Sequence, residues 1–157
     1  MEMKKYSVPK NFNSSIGHNS LDNYQSLRKN AEQDSNSYWE SVAKRIDWFD
    51  NWTTINNTDY SKAHIEWFSN GKLNASYNCI DRHIENGLGE KTALIWQSND
   101  PTISTNVSYN ELLKKVSLFA NGLKRAGIKK GDRVCIYMQM IPEAIVAMLA
   151  CARIGAV

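Results

Sequence analysis

The feature that most constrains this chain is its last stretch, Pro142-Glu-Ala-Ile-Val-Ala-Met-Leu-Ala-Cys-Ala-Arg153-Ile-Gly155-Ala-Val157. Proline suits the first helical position, where a missing N–H costs no hydrogen bond. Glycine closes a helix in the left-handed conformation. The residues between them predict a helix that is apolar nearly all round, and such a helix needs burial on more than one side. Before it, Val134-Cys-Ile-Tyr-Met138 is a near-continuous apolar run, the pattern of a strand buried on both faces of a parallel sheet. Parallel strands pair only after a crossover, and Ala156-Val157 begins the partner. The expected fold class is therefore α/β, with the chain stopping in the middle of a βαβ unit.

Upstream, residues 1–20 are polar and rich in Asn and Ser, and are expected to be loosely ordered. Leu21–Glu32 and Tyr38–Ile46 read as helices, the second capped by Ser37. His64–Asn74 reads as a strand entering an Asn70-Gly71 turn, and Asn74–Glu85 as a helix ended by Gly87 or Gly89. Thr92–Trp96 is a predicted strand, with Asn99-Asp100-Pro101 as a turn and Thr105–Val107 as the returning partner. Ser108-Tyr-Asn-Glu111 has the form of a capping box. Leu112, Val116, Phe119, Ala120 and Leu123 follow at helical spacing, and Gly127 stands where a left-handed cap is wanted.

Composition excludes several classes. The chain has 157 residues, 42% of them hydrophobic, enough for one modest domain. Its 19 Lys and Arg against 16 Asp and Glu leave a net charge of +3, too little to imply nucleic acid or a membrane surface as partner. Lys114, Lys115, Lys124, Arg125, Lys129, Lys130 and Arg133 interleave with the helical apolar pattern and read as a solvated face. Cys79, Cys135 and Cys151 form no CxxC pair, so reduced, buried thiols with no disulfide partner in a cytoplasmic protein are expected. The N-terminus lacks the apolar core of a secretory signal, and Pro142 and Glu143 interrupt the longest apolar run, Val134–Ala152, so it is not a membrane span.

Candidate chemistry is sparse. Gly87-Leu-Gly89-Glu90-Lys91-Thr92 superficially suggests a phosphate loop, but Glu90 separates glycine from lysine and the segment runs from helix into strand, the reverse of the required order. Cys79 and His83 lie four apart on a predicted helix, yet two ligands do not close a zinc site. Trp39, Trp48, Phe49 and Trp52 follow closely enough to suggest a stacking platform; packing of an irregular arm accounts for them more simply. No Ser/His/Asp grouping or catalytic carboxylate pair is recognisable. No residue is assigned as catalytic, cofactor-binding or metal-ligating.

Several blocks carry a resemblance. Tyr38-Trp39, Arg45-Ile-Asp-Trp48, Ile65–Asn74, Asn78-Cys-Ile-Asp-Arg-His83, Ala93-Leu-Ile-Trp96, Gly127–Asp132, Pro142-Glu-Ala144 and Ala147–Val157 resemble successive blocks of the acetyl-CoA synthetase family, within the AMP-forming acyl-CoA ligases. The likeness covers roughly residues 37–157 and is weaker from about Leu21. It implies three parts: a polar, loosely ordered segment over 1–36, an N-terminal accessory region over 37–90, and the incomplete start of an AMP-binding ligase domain over 91–157. It further implies a cytoplasmic enzyme that activates acetate with ATP and Mg, passes the acetyl group to CoA, and belongs to acetyl-CoA biosynthesis. The family's phosphate loop, acyl pocket, hinge Asp and catalytic Lys have no counterpart here, so the chain alone is expected to be inactive and to hold no cofactor itself. A docking module for the missing remainder or for a full-length synthetase, and a part of a propionyl-CoA synthetase, are the alternatives. One departure is local: Tyr137-Met-Gln139-Met-Ile-Pro142 has Gln139 where the family has proline, which restores an amide donor and puts the loop shape in question.

Overall fold

The computed structural model describes residues 20–157. The segment expected to be loosely ordered lies almost wholly outside the described residues. The described residues divide into two compact units, one of residues 20–45 and 54–67, the other of 46–53 and 68–157.

In the first unit, α1 (Leu21–Gln33) is capped by Ser20, whose hydroxyl accepts from the Asn23 N–H at 3.1 Å. α1 buries no residue, and its exposed ion pair, Arg28–Glu32, adds little because solvent screens it. α2 (Ser35–Ala43) is capped by Asp34 rather than by Ser37. The Asp34 carboxylate accepts from both the N–H and the hydroxyl of Ser37, at 3.0 and 2.7 Å. Asp and Ser are equally good caps, and here the carboxylate three residues earlier takes the amide, with Ser37 as its second donor. α2 ends at Ala43, short of the expected Ile46. Trp39 packs edge-on to both Tyr38 and Trp67. β1 (Thr54–Asn56) leads to a hairpin held by Asn57 N–H to the Glu66 carbonyl at 2.9 Å and by reciprocal bonds between Asp59 and His64.

In the second unit the expected strand shrinks to β2, whose residues Trp67–Ser69 begin at the unit boundary. The turn after it is closed by the Gly71 N–H on the Phe68 carbonyl at 2.9 Å, with Asn70 in the left-handed region at φ 62°. Gly71 is required for a different reason: a Cβ there would sit 2.6 Å from Trp48 Cζ3. Trp48, Trp52 and Phe68 close a triangle of tilted rings, with centroids 5.0–5.5 Å apart. They pack against one another and each is half-buried, as packing of an irregular arm requires.

The helix expected over Asn74–Glu85 runs to Leu88 and is wide-turned, with i→i+5 geometry over Tyr77–Asp81 and Ile84–Leu88. Gly87 at φ 79° ends its regular course. β3 (Thr92–Gln97) pairs antiparallel with β4 (Ser104–Ser108), Ile95 opposite Asn106, with one irregularity between Thr92 and Leu94. Asp100 makes the turn between them through bonds to the Thr102 N–H and hydroxyl.

α3 (Tyr109–Arg125) begins with the complete capping box of Ser108 and Glu111. It ends in a Schellman arrangement: Ile128 N–H to the Leu123 carbonyl, Gly127 N–H to Lys124, and Gly127 at φ 91°. α4 (Pro142–Ile154) has Pro142 in its first turn and Gly155 at φ 75° as its cap. Ile80, Val107, Leu112, Val116, Ala120, Val146 and Ala150 form one core, so the wide-turned helix, β4, α3 and α4 meet in a single apolar centre. Phe119 falls outside it at 44% exposed, because the buried stripe of α3 runs through Leu112, Val116 and Ala120 and leaves Phe119 on its flank.

The segment 134–138 departs from expectation. Val134 and Ile136 are half-buried while Cys135, Tyr137 and Met138 are exposed, so one face is partly covered and the other open. It pairs only at its start: Val157 N–H donates to Asp132, Val134 N–H to Val157, and Gly131 N–H to Gly155, all at 2.8 Å. The two segments run in the same sense across α4, which is the opening of a parallel pair. Two-faced burial would require sheet neighbours and a second helical layer, and among the described residues neither covers the face of Tyr137.

Candidate functional site

The most highly connected polar constellation joins the wide-turned helix to the last turn of α4. Arg153 donates to both carboxylate oxygens of Asp81, Nη1 to Oδ2 and Nη2 to Oδ1, each at 2.8 Å. Nη1 also reaches Ser76 Oγ at 3.4 Å, and Ser76 is fully buried. The Arg153 and Asp81 side chains are 28% and 17% exposed, so the pair is screened much less than a surface pair. The Asp81 hydrogen bonds raise the already high pKa of Arg153, which stays charged. Asn74 completes the group. Its amide donates to the Ala152 and Arg153 carbonyls at 3.3 and 3.1 Å, and its carbonyl accepts from the Tyr77 N–H. One side chain thus caps the beginning of one helix and the end of another, satisfying groups that every helix terminus leaves orphaned. The direction in which the chain leaves α4 toward Val157 is fixed by this group and by the Gly155 cap.

Beside it run the two hydrogen-bonded segments described above, 131–134 and 155–157. Trp96 Nε1 donates to the Met140 carbonyl at 2.8 Å, which ties the loop bearing Gln139 to β3. In that loop the Ile141 N–H folds back on the Gln139 carbonyl at 2.9 Å. Tyr137 and Met140 are 99% and 85% exposed.

Two concavities flank α3 and α4. The first, about 610 Å³, is largely apolar and includes Leu118, Phe119, Leu123 and Val146, with Lys115 and Glu143 also on its wall. The second, about 430 Å³, is more polar and lies toward the C-terminal ends of both helices.

The weaker motifs fall as follows. Gly87–Thr92 connects a helical segment to β3, the order that disfavoured a phosphate loop. The His83 ring packs on Tyr109 at 5.0 Å, and Cys79 is exposed. Among the described residues, no three His, Cys, Asp or Glu stand together as a metal would require. The thiols are not all buried: Cys151 is, whereas Cys79 and Cys135 are exposed, Cys135 because its strand is covered on the opposite face only. All three are free. Lys114, Lys115, Lys124, Arg125, Lys129, Lys130 and Arg133 are exposed. No helix among the described residues is long and apolar enough to cross a membrane.

The Asp81–Arg153 pair was not anticipated. Arg153 is the lone charge of Ala144–Ile154, but Asp81 is followed directly by Arg82, and nothing local pairs the two across 72 positions.

Comparison with known proteins places these blocks. The family model described as acetyl-coenzyme A synthetase N-terminus matches residues 24–79, and that described as AMP-binding enzyme matches residues 81–157. Among curated proteins, the acetyl-coenzyme A synthetase of Magnetococcus marinus is 49% identical over 160 residues, covering 99% of this chain and 24% of the relative. That of Halorhodospira halophila is 45% identical, again over 99% of the chain and 24% of the relative. That of Sinorhizobium fredii is 53% identical over 79% of the chain and 19% of the relative. The chain thus spans about a quarter of the length of the first two of these relatives. With one model running almost directly into the next and near-half identity along the whole chain, the chain belongs to the AMP-binding enzyme family, in its acetyl-coenzyme A synthetase branch.

Proposed function

We propose that this chain forms the N-terminal part of an acetate-activating ligase and does not activate acetate by itself. The observation that carries this reading is the asymmetry of coverage: 99% of the chain aligns with synthetases of which it spans only 24%. In the reaction, a carboxylate oxygen of acetate attacks the α-phosphorus of ATP, forming acetyl-adenylate and releasing pyrophosphate. The CoA thiol then attacks the acetyl carbonyl and AMP departs. No residue of this chain is assigned to ATP, Mg or CoA. Gly87–Thr92 has the wrong order for a phosphate cradle, and Glu90 separates its glycine from its lysine. No step is therefore routed through a side chain of this chain. Its part is to build the α3–α4 layer and open the parallel sheet on which the rest of the enzyme is laid. Propionate in place of acetate leaves this reading unchanged.

A chimera tests it. The matching region of the Magnetococcus marinus synthetase is replaced by this chain, and acetate-dependent AMP formation is measured. Activity within about tenfold of the parent, or about 1.4 kcal/mol in barrier, is expected. A soluble, folded chimera without acetate-dependent turnover contradicts the assignment.

One observation favours a second reading, a docking module that complements the remainder of a synthetase or joins a full-length one. The backbone N–H groups of Cys135–Met138 have no partner among the described residues, beside the exposed Tyr137 and Met140. Co-elution with a separately purified remainder is expected on that reading; a chain that ignores it in size-exclusion runs counts against it.

A further inference from the structure

We propose that the polar concavity between the C-terminal halves of α3 and α4 binds a small phosphate-bearing anion. It holds about 430 Å³ and is lined by Ser117, Ala120, Asn121, Lys124, Arg153 and Ile154. Ser117, Asn121 and Lys124 stand at i, i+4 and i+7 of α3, so a hydroxyl, an amide and an ammonium share one helix face. None of the three side chains makes a hydrogen bond or ion pair to a described residue.

Arg153 closes the hollow from α4. It commits three N–H groups, two on Asp81 and one on Ser76. A guanidinium carries five, so two remain, on a side chain that is 28% exposed. Asp81 holds that guanidinium rigidly, so little freedom is lost when a ligand meets it. The aliphatic stem of Lys130 lies over Gly155, its Cγ only 2.9 Å from where a Cβ would be, two residues from Arg153. No carboxylate lines the hollow.

The usual reading of surface lysines is a solvated face, and it suits Lys114. It does not account for a concavity lined by a hydroxyl, an amide and two cations, of which Arg153 is already paired with Asp81 and Lys124 is not paired with a described residue. Donors presented from two helices suit a polyoxyanion better than a carboxylate, which offers two oxygens in one plane. The inference does not depend on the acetate reading, because it uses only residues of this chain.

The test uses the full 157-residue chain and inorganic pyrophosphate and phosphate, titrated at constant ionic strength and followed by amide resonances. Saturable shifts confined to Ser117–Lys124 and Arg153–Gly155 are expected, with pyrophosphate the tighter ligand. Lys124→Ala should weaken pyrophosphate binding about tenfold and Asn121→Ala severalfold. Both positions are exposed, so the fold survives these changes. Lys114→Ala should change nothing. Shifts that never saturate, shifts spread over all lysines, an unaltered affinity in Lys124→Ala, or spectra lacking a folded α3–α4 pair would each overturn the proposal.

Discussion

Arg153 and Asp81, 72 positions apart in sequence, meet through two parallel hydrogen bonds of 2.8 Å each. The pair joins the first family-matched block after the N-terminal region to the last helix of the chain. Removing one partner leaves the other poorly compensated in a partly buried place. Asp81→Asn is therefore expected to cost about 2 kcal/mol, below the range for a fully buried pair because solvent still reaches both groups. In urea unfolding the midpoint should fall with the slope unchanged. An unshifted midpoint would mean that the pair is incidental.

Two glycines test the packing in opposite directions. At Gly71 an added Cβ meets Trp48 Cζ3 at 2.6 Å and the Phe68 carbonyl at 3.0 Å. Gly71→Ala should therefore destabilise by about 1–3 kcal/mol. At Gly122, inside α3, nothing lies within 4 Å. Gly122→Ala should stabilise by about 0.5–1 kcal/mol through helix propensity. Thermal midpoints that move the same way in both variants would contradict this packing.

The capping box carries a pH signature. The Glu111 carboxyl is held below its ordinary value of 4.5, first by the Ser108 N–H and then by the Ser108 hydroxyl. A lowered folded pKa means stability that is fully present above the ordinary value and lost as pH falls through the lower one. Glu111→Gln should thus be less stable than the parent at about pH 6, and the gap should close toward about pH 3. Ser108→Ala should cost about 1 kcal/mol near neutrality. A gap that is constant with pH would exclude the reciprocal bond.

Tyr77 titrates at the other extreme. Its hydroxyl donates to Glu85 Oε2 at 2.6 Å, and that bond, then burial, then the negative charge of Glu85 push its pKa up to about 12. Since the folded value is raised, the stabilisation is complete below the ordinary value of 10.0 and is lost as pH rises through about 12. In a tyrosinate absorbance titration, one of the seven tyrosines should ionise late, and Tyr77→Phe should remove that late step. Loss of an early step instead would reverse the assignment.

Local signals were the readable part of this chain. The Ser108–Glu111 box, the Gly127 and Gly155 caps, Pro142 at the head of α4 and the β3–β4 hairpin all stand where spacing placed them, because each depends on neighbours in sequence. What escaped depends on neighbours in space. Asp34 and Ser37 are both good caps three residues apart, and nothing in the pattern ranks them; Asp34 caps, and Ser37 donates to it. Gly71 looks like turn chemistry but is fixed by the Trp48 ring, while Asn70 carries the positive φ. The apolar run Val134–Met138 predicts two covered faces, yet its side chains alternate between half-buried and exposed. The Asp81–Arg153–Asn74 group, which spans more than seventy positions, has no local signature at all.

Acetate-dependent ATP–pyrophosphate exchange by the purified 157-residue chain measures whether these residues activate acetate alone. No exchange above the rate without protein is expected from the chain alone, with exchange appearing when the same residues stand within a complete synthetase. Acetate-dependent exchange by the isolated chain, abolished when acetate is omitted, would contradict the account.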